Sequence, residues 1–277
     1  MTHELRPAAD GSDPVIAVHG TASTGRQWKQ LANDLAPAYA VSAPDLPGYG
    51  SRGALPSPAR PSLAGDAGAI ADIAGSDNTP VHLVAHSYGA AVALRFALDN
   101  PDKVKSLTLM APALFHVLRN GGPRDINAFF EICAVADAVR VANLNGTPER
   151  GMAQFVDYWN GAGCWAAMAP SLQAALAPQT GQVARNFAAA MAETWAPIDA
   201  RRIHCPTLLI AGAASRAPAL RVSQHLADAI PQARLQMLPG LSHMAPVTHP
   251  HLINPLIADA LDAATNGSFE ASLAEAA

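Results

Sequence analysis

The chain has 277 residues, a length that fits one large domain or a core carrying an insertion, and that buries an ample hydrophobic core without disulfides. Only 14% of its residues are charged and the formal net charge is -4, so no basic surface is available to neutralise a run of phosphates and no nucleic-acid partner is expected. The three cysteines, Cys133, Cys164 and Cys205, are widely spaced and form no CxxC pair, so they are read as incidental thiols rather than a zinc or redox site.

At the amino end, MTHELRPAADGSDP carries acidic residues and no apolar run, unlike a secretory signal. Apolar runs elsewhere are broken by Gly, Pro or charge well short of the ~20 residues that a bilayer span needs. The expectation is a soluble, cytoplasmic protein with a small-molecule substrate, no membrane partner, no cofactor and no metal. Its oligomeric state, a homodimer included, is left open.

In chain order, Val15–Val18 is a short β-prone run stopped by His19-Gly20, which reads as a buried strand entering a tight loop. Trp28, Leu31 and Leu35 then fall at helical spacing within Gln27–Leu35. A second strand at Tyr39–Ser42 ends in the turn-rich stretch Ala43–Gly50, a helix is expected over Leu63–Ala74, and Val81–Ala85 is again continuously apolar. Gly89–Leu98 reads as an alanine-rich helix and Val104–Met110 as the next strand. Strands apolar enough to be covered on both faces and alternating with helices point to an α/β protein with a parallel sheet.

From 112 to 203 the strand rhythm stops and the chain becomes Ala-rich and aromatic, as expected of a helical cap inserted between two sheet strands. The core is therefore assigned to 1–111 and 204–277. Strands at Thr207–Ala211 and Ala233–Leu238 and helices at Ala219–Ile230 and Leu252–Ala264 complete it, and the tail from Asn266 to Ala277 is small and polar enough to fray.

Ala85-His86-Ser87-Tyr88-Gly89 lies where an apolar strand turns into a helix, the setting of a G-x-S-x-G nucleophile elbow with Ala85 in place of the first glycine. The alternative for Ser87 is an ordinary helix N-cap. The elbow would present Ser87 at the carboxyl edge of the sheet, with the helix N-terminus aimed at developing negative charge. The loop His19-Gly20-Thr21 would supply a second backbone N–H, which makes Thr21 and Tyr88 the candidate oxyanion-hole donors. Near the end, Leu238-Pro239-Gly240-Leu241-Ser242-His243 reads as strand, tight turn, histidine, so His243 is the candidate base. His19, His82 and His86 are read as structural, and His249 and His251 as weaker base candidates.

Together these motifs, with Asp45-Leu46-Pro47-Gly48-Tyr49-Gly50 after the second strand, make the chain from Val15 to about Ala264 resemble a capped serine hydrolase of the α/β-hydrolase superfamily. The resemblance implies an esterase- or lactonase-like enzyme with Ser87 as nucleophile. It disfavours epoxide hydrolases and dehalogenases, which place aspartate at the elbow. The sequence departs from the family at the acid. Ser215 stands where an aspartate is expected after the strand at 207–211, and Ala111 occupies the second known location. Either an insertion carboxylate substitutes, with Asp125, Glu131, Asp137 and Asp157 the open sources, or the protein is a slow dyad enzyme or a non-enzyme. Asp199 belongs to the wrong sheet edge, and Asp45 is usually structural. The leading expectation is hydrolysis of a small, rather apolar carboxylic ester or lactone. The alternatives are a binding protein without competent chemistry, or a lyase or cofactor-free oxygenase on the same scaffold.

Overall fold

The computed structural model describes residues 3–4, 12–53, 60–75 and 79–269. Seven strands form one sheet: β1 (His3–Glu4), β2 (Asp13–Val18), β3 (Tyr39–Ala43), β4 (Val81–His86), β5 (Val104–Met110), β6 (Thr207–Gly212) and β7 (Ala233–Leu238). Their order is β1-β3-β2-β4-β5-β6-β7, with β1 antiparallel at one edge and the other six parallel. The two-residue β1 has no counterpart in the strands expected from sequence.

Side-chain alternation divides the sheet between two apolar layers. Val15 and Ala17 of β2 join Val84, Met110, Leu208 and Ile210 on one face, under α1 (Lys29–Leu35) and the last helix, α12 (Pro250–Asn266). Ile16 and Val18 join Leu83, Ala85, Leu107, Leu109 and Leu209 on the other. This period of two, with both faces covered, is why the strands read as unbroken apolar runs. On the second face lie α2 (Leu63–Asp66), α3 (Gly68–Ala74) and α4 (Tyr88–Asp99). The single helix expected over Leu63–Ala74 is broken at Ala67, and a 3₁₀ turn at Gly25–Trp28 precedes α1. Ten of the twelve residues of α4 are buried, and its alanines let it sit deep against the sheet.

Between β5 and β6 the chain forms α5 (Pro123–Leu144), α6 (Pro148–Asn160), α7 (Cys164–Ala167), α8 (Pro170–Leu176) and α9 (Thr180–Met191), with no strand. Prolines open α5, α6 and α8, where the missing N–H costs no helical bond. Asp125 at the start of α5 ties this helical segment to α10 (Ala217–Ala229) through Arg221 at 2.6 Å. After β7 come α11 (Ala245–Thr248) and α12 (Pro250–Asn266). The tail expected to fray is still helical at Asn266, and its residues 270–277 lie outside the described residues. Among the described residues no helix is long and apolar enough to cross a membrane.

Candidate active site

At the β4–α4 junction Ser87 adopts φ 53° and ψ -117°, a conformation that costs a non-glycine residue energy and persists only where its surroundings over-determine it. Those surroundings are explicit. The Ser87 amide donates to Met110 O at 2.9 Å, and its carbonyl accepts from Ala113 N at 3.1 Å as well as from the first turn of α4. A Cβ at Gly89 would lie 2.4 Å from the His19 carbonyl oxygen, so only glycine lets α4 pass so close to the loop after β2. The Ser87 side chain makes no capping bond to α4. Its Oγ lies instead 2.9 Å from His243 Nε2.

His243 follows the Pro239-Gly240 turn after β7 and is 3% exposed. Its carbonyl accepts the Nε2–H of His86 at 2.9 Å, while His86 Nδ1 accepts from Gln27 Nε2 at 3.3 Å and Gln27 Oε1 accepts from Gly20 N at 3.3 Å. One neutral tautomer of His86 satisfies both contacts, and burial pushes its pKa down to about 4. This chain of bonds ties the loop after β2, the elbow and the histidine loop into one unit. Trp159 of α6 stacks on the His243 ring, centroids 3.9 Å apart and planes 25° from parallel. Burial, with a smaller contribution from the neighbouring His86, holds His243 well below the ordinary histidine pKa. If Nε2 accepts the Ser87 proton, the neutral ring carries its hydrogen on Nδ1, and Nδ1 is buried with no hydrogen-bond partner among the described residues.

The loop after β6 is bonded to the loop that carries His243. Ala214 N donates to Leu241 O at 2.8 Å, and a Cβ at Gly212 would lie 2.3 Å from that same oxygen. Ser215 on this loop has a buried Oγ with no hydrogen-bond partner among the described residues. Ala111, at the other location, is buried with φ 45°. The carboxylates of the helical segment between β5 and β6 are engaged elsewhere. Asp125 is held down to about 2, chiefly by Arg221; Glu131 accepts from the Tyr158 hydroxyl at 2.9 Å; Asp137 pairs with Arg140 at 3.2 Å; Asp157 accepts from Trp165 N at 2.7 Å. None of the four is brought to His243. Asp45 accepts from Gly25 N and Ser51, and Asp199 from Ala196 N, both as loop-closing groups.

The remaining histidines have local roles. His19 donates from Nδ1 to Gly20 O and accepts Leu46 N–H on Nε2, and His82 pairs with Ser106 Oγ. His249 and His251 lie 6.0 Å apart at the start of α12. Among the described residues no group of three or more His, Cys, Asp or Glu side chains could hold a metal ion.

Two cavities meet at Ser87. The smaller is bordered by Thr21 and Tyr88, the two candidate amide donors, and walled by Phe115, Phe187 and Ala190. Tyr88 opens α4, so its N–H belongs to the turn that has no intrahelical acceptor. Asn186 closes this pocket, its Oδ1 taking the Tyr49 hydroxyl, while the Tyr88 hydroxyl donates to Asp66 at 2.6 Å. Burial raises the Asp66 carboxyl above its ordinary value, against the pull of that bond and of Arg185. The larger cleft runs past His243 between Met152, Met168, Leu176 and Val247. Phe155 and Trp159, one turn apart on α6, line both. Trp159, Gln27 and Asn186 went unrecognised in the sequence because nothing in their local pattern separates them from packing residues.

The profile of the alpha/beta hydrolase family matches residues 15–256. A pimeloyl-[acyl-carrier protein] methyl ester esterase of Chromobacterium violaceum is 30% identical over 244 residues, spanning 85% of this chain and 89% of that protein. Among solved structures, MenH from S. aureus superposes with a TM-score of 0.71 at 16% identity, covering 94% of this chain and 97% of that one. Carboxylesterase CesB from Bacillus subtilis gives 0.68 at 17% identity over 92% and 85% of the two chains. The sheet order, the elbow and the sequence match agree, and the chain belongs to the alpha/beta hydrolase family.

Proposed function

We propose that the protein is a serine hydrolase of small, rather apolar carboxylic esters or lactones, working through a Ser87–His243 dyad. Ser87 Oγ attacks the ester carbonyl as its proton passes to His243 Nε2. The Thr21 and Tyr88 amides receive the oxyanion, and His243 returns the proton to the departing alkoxide. Water, deprotonated by the same histidine, then releases the acid from Ser87. The 2.9 Å contact between Ser87 Oγ and His243 Nε2 carries this reading, because a serine strained into the left-handed region and turned away from its helix has no structural use for that bond. The ester-hydrolysing relative supports the reaction class. The narrow pocket walled by Phe115 and Phe187 suits a short apolar acyl group, and the wider cleft past His243 the leaving group. In this reading residues 112–203 form a cap over a core of 1–111 and 204–277.

Labelling with a fluorophosphonate, with peptide mass spectrometry to locate the adduct, tests the proposal. An adduct on Ser87 that His243→Ala slows by orders of magnitude supports an activated nucleophile; no adduct at long times sinks it. The unpaired Nδ1 of His243 favours a second reading, a ligand-binding protein on the hydrolase scaffold. Ligand binding without turnover at any pH and without a Ser87 adduct would establish that reading instead.

A further inference from the structure

We infer that Trp159, contributed by the insertion, is a positioning residue for His243 that performs part of the work of the absent carboxylate: its indole face orients the imidazole and stabilises the imidazolium formed during the reaction. The inference rests on the Ser87–His243 dyad proposed above. An acid in a triad does two things, fixing the ring through Nδ1–H and offsetting the positive charge that appears on proton transfer. Neither is available from a carboxylate among the described residues, where Nδ1 has no partner.

Trp159 meets both requirements by geometry. Its ring lies 3.9 Å from that of His243 at 25°, well inside the ~6 Å within which a cation is attracted to an indole face. Both side chains are buried, which strengthens the attraction. The indole is itself held, by Phe115 near-parallel at 6.3 Å and by the edge of Tyr158 at 4.7 Å. A face that attracts the imidazolium more than the neutral ring favours the protonated form during catalysis. The proton lost by Ser87 as its Oγ–carbon bond forms is thus accommodated on Nε2 until the leaving alkoxide takes it.

The charged and titratable groups around the stack do not substitute for this. From the elbow, His86 opposes protonation of His243. From the loop after β6 come uncharged Ser215 and Arg216, whose guanidinium sits 5.1 Å over the Tyr158 ring. From α6, the Tyr158 hydroxyl is committed to Glu131 of α5, and Asp157 to Trp165 N.

The test follows the His243 Cε1–H resonance with pH by NMR in the full-length protein, His243→Gln identifying the signal, for wild type, Trp159→Phe and Trp159→Leu. Leucine keeps the site apolar but removes the π face, so the His243 pKa is expected to fall by about one unit, with phenylalanine between. An unchanged or higher pKa in Trp159→Leu overturns the inference, since a residue that only excludes water would raise it on removal. If acid unfolding hides the titration, fluorophosphonate trapping rates at neutral pH decide. A loss of about tenfold in Trp159→Leu, with Trp159→Phe intermediate, is expected; equal rates overturn it. The titration needs no turnover, so a missing Ser87 adduct defeats the dyad itself, whereas an adduct with an unmoved titration defeats only the role of Trp159.

Discussion

Two turns leave the same edge of the sheet, one after β4 and one after β6, and they differ in chemistry more than in architecture. Both are packed to the limit that glycine allows, at Gly89 against His19 O and at Gly212 against Leu241 O. The first turn carries Ser87, strained and bonded to His243. The second carries Ser215, whose buried hydroxyl has no partner among the described residues although its loop is bonded to the histidine loop. The backbone can thus keep a seat for a third group without supplying that group. Turn geometry is dictated by strand ends, small residues and main-chain bonds, while the reacting side chain is a separate choice.

The sharpest way to break the contrast is to empty the first turn. Ser87→Ala is expected to abolish the fluorophosphonate adduct and cut ester turnover by about 10³-fold or more, and Ser87→Ala/His243→Ala should be little worse than either single variant, since the two groups act as a unit. Full residual activity in Ser87→Ala would place the chemistry elsewhere.

The first turn also depends on neutral buried histidines, which predicts how it fails in acid. Burial pushes His19 and His86 down to about 4, whereas the unfolded chain titrates near 6.5. Between pH 6.5 and 4 the unfolded state therefore binds protons that the folded state refuses, and stability falls as pH falls through that window. A shift of this size costs about 3 kcal/mol per histidine by pH 4. Denaturant midpoints measured at pH 7 and pH 5 should differ clearly; equal midpoints would contradict the burial of these rings.

The second turn can be filled. Losing the acid of a serine protease costs about 10⁴-fold, so Ser215→Asp has room to act and is expected to raise kcat/KM by roughly 10- to 100-fold. A carboxylate near His243 favours the imidazolium, raises its pKa and moves the acid limb of the pH–rate profile to higher pH. A pH profile unchanged from wild type would show that position 215 does not address Nδ1. The smallest effect belongs to the tie between turns: Gln27→Leu frees His86 Nδ1 and Gly20 N, and should lower kcat by about 3- to 10-fold, on the order of 1 kcal/mol, with KM nearly unchanged.

The sheet was legible because its strands are covered on both faces. Val81–Ala85 and Val104–Met110 are continuous apolar runs, and each is a strand over nearly those bounds. Helix ends were less so. Leu63–Ala74 hides a break at Ala67 that no glycine or proline at that position announces, and α12 carries Pro255 within its span. Ser87 and His243 could be nominated because strand-to-turn transitions leave local signatures. The sequence also left the acid positions visibly empty. What it could not reveal were contacts made across the chain: Trp159 against His243, 84 positions later in the numbering, and Gln27 against His86. Such pairs have no period and no motif, and an aromatic in an Ala-rich helical stretch reads as packing until its neighbour is known.

Because Trp159 lines both cavities and also stacks on His243, substrate scope and base strength are written into one side chain. A replacement that enlarges the acyl pocket necessarily alters the environment of the base, so broadening the range of accepted molecules entails a change in rate for all of them. Selection on this enzyme would meet that trade-off at position 159 first, and escape from it runs through position 215, where strengthening the base leaves the walls of the pocket untouched.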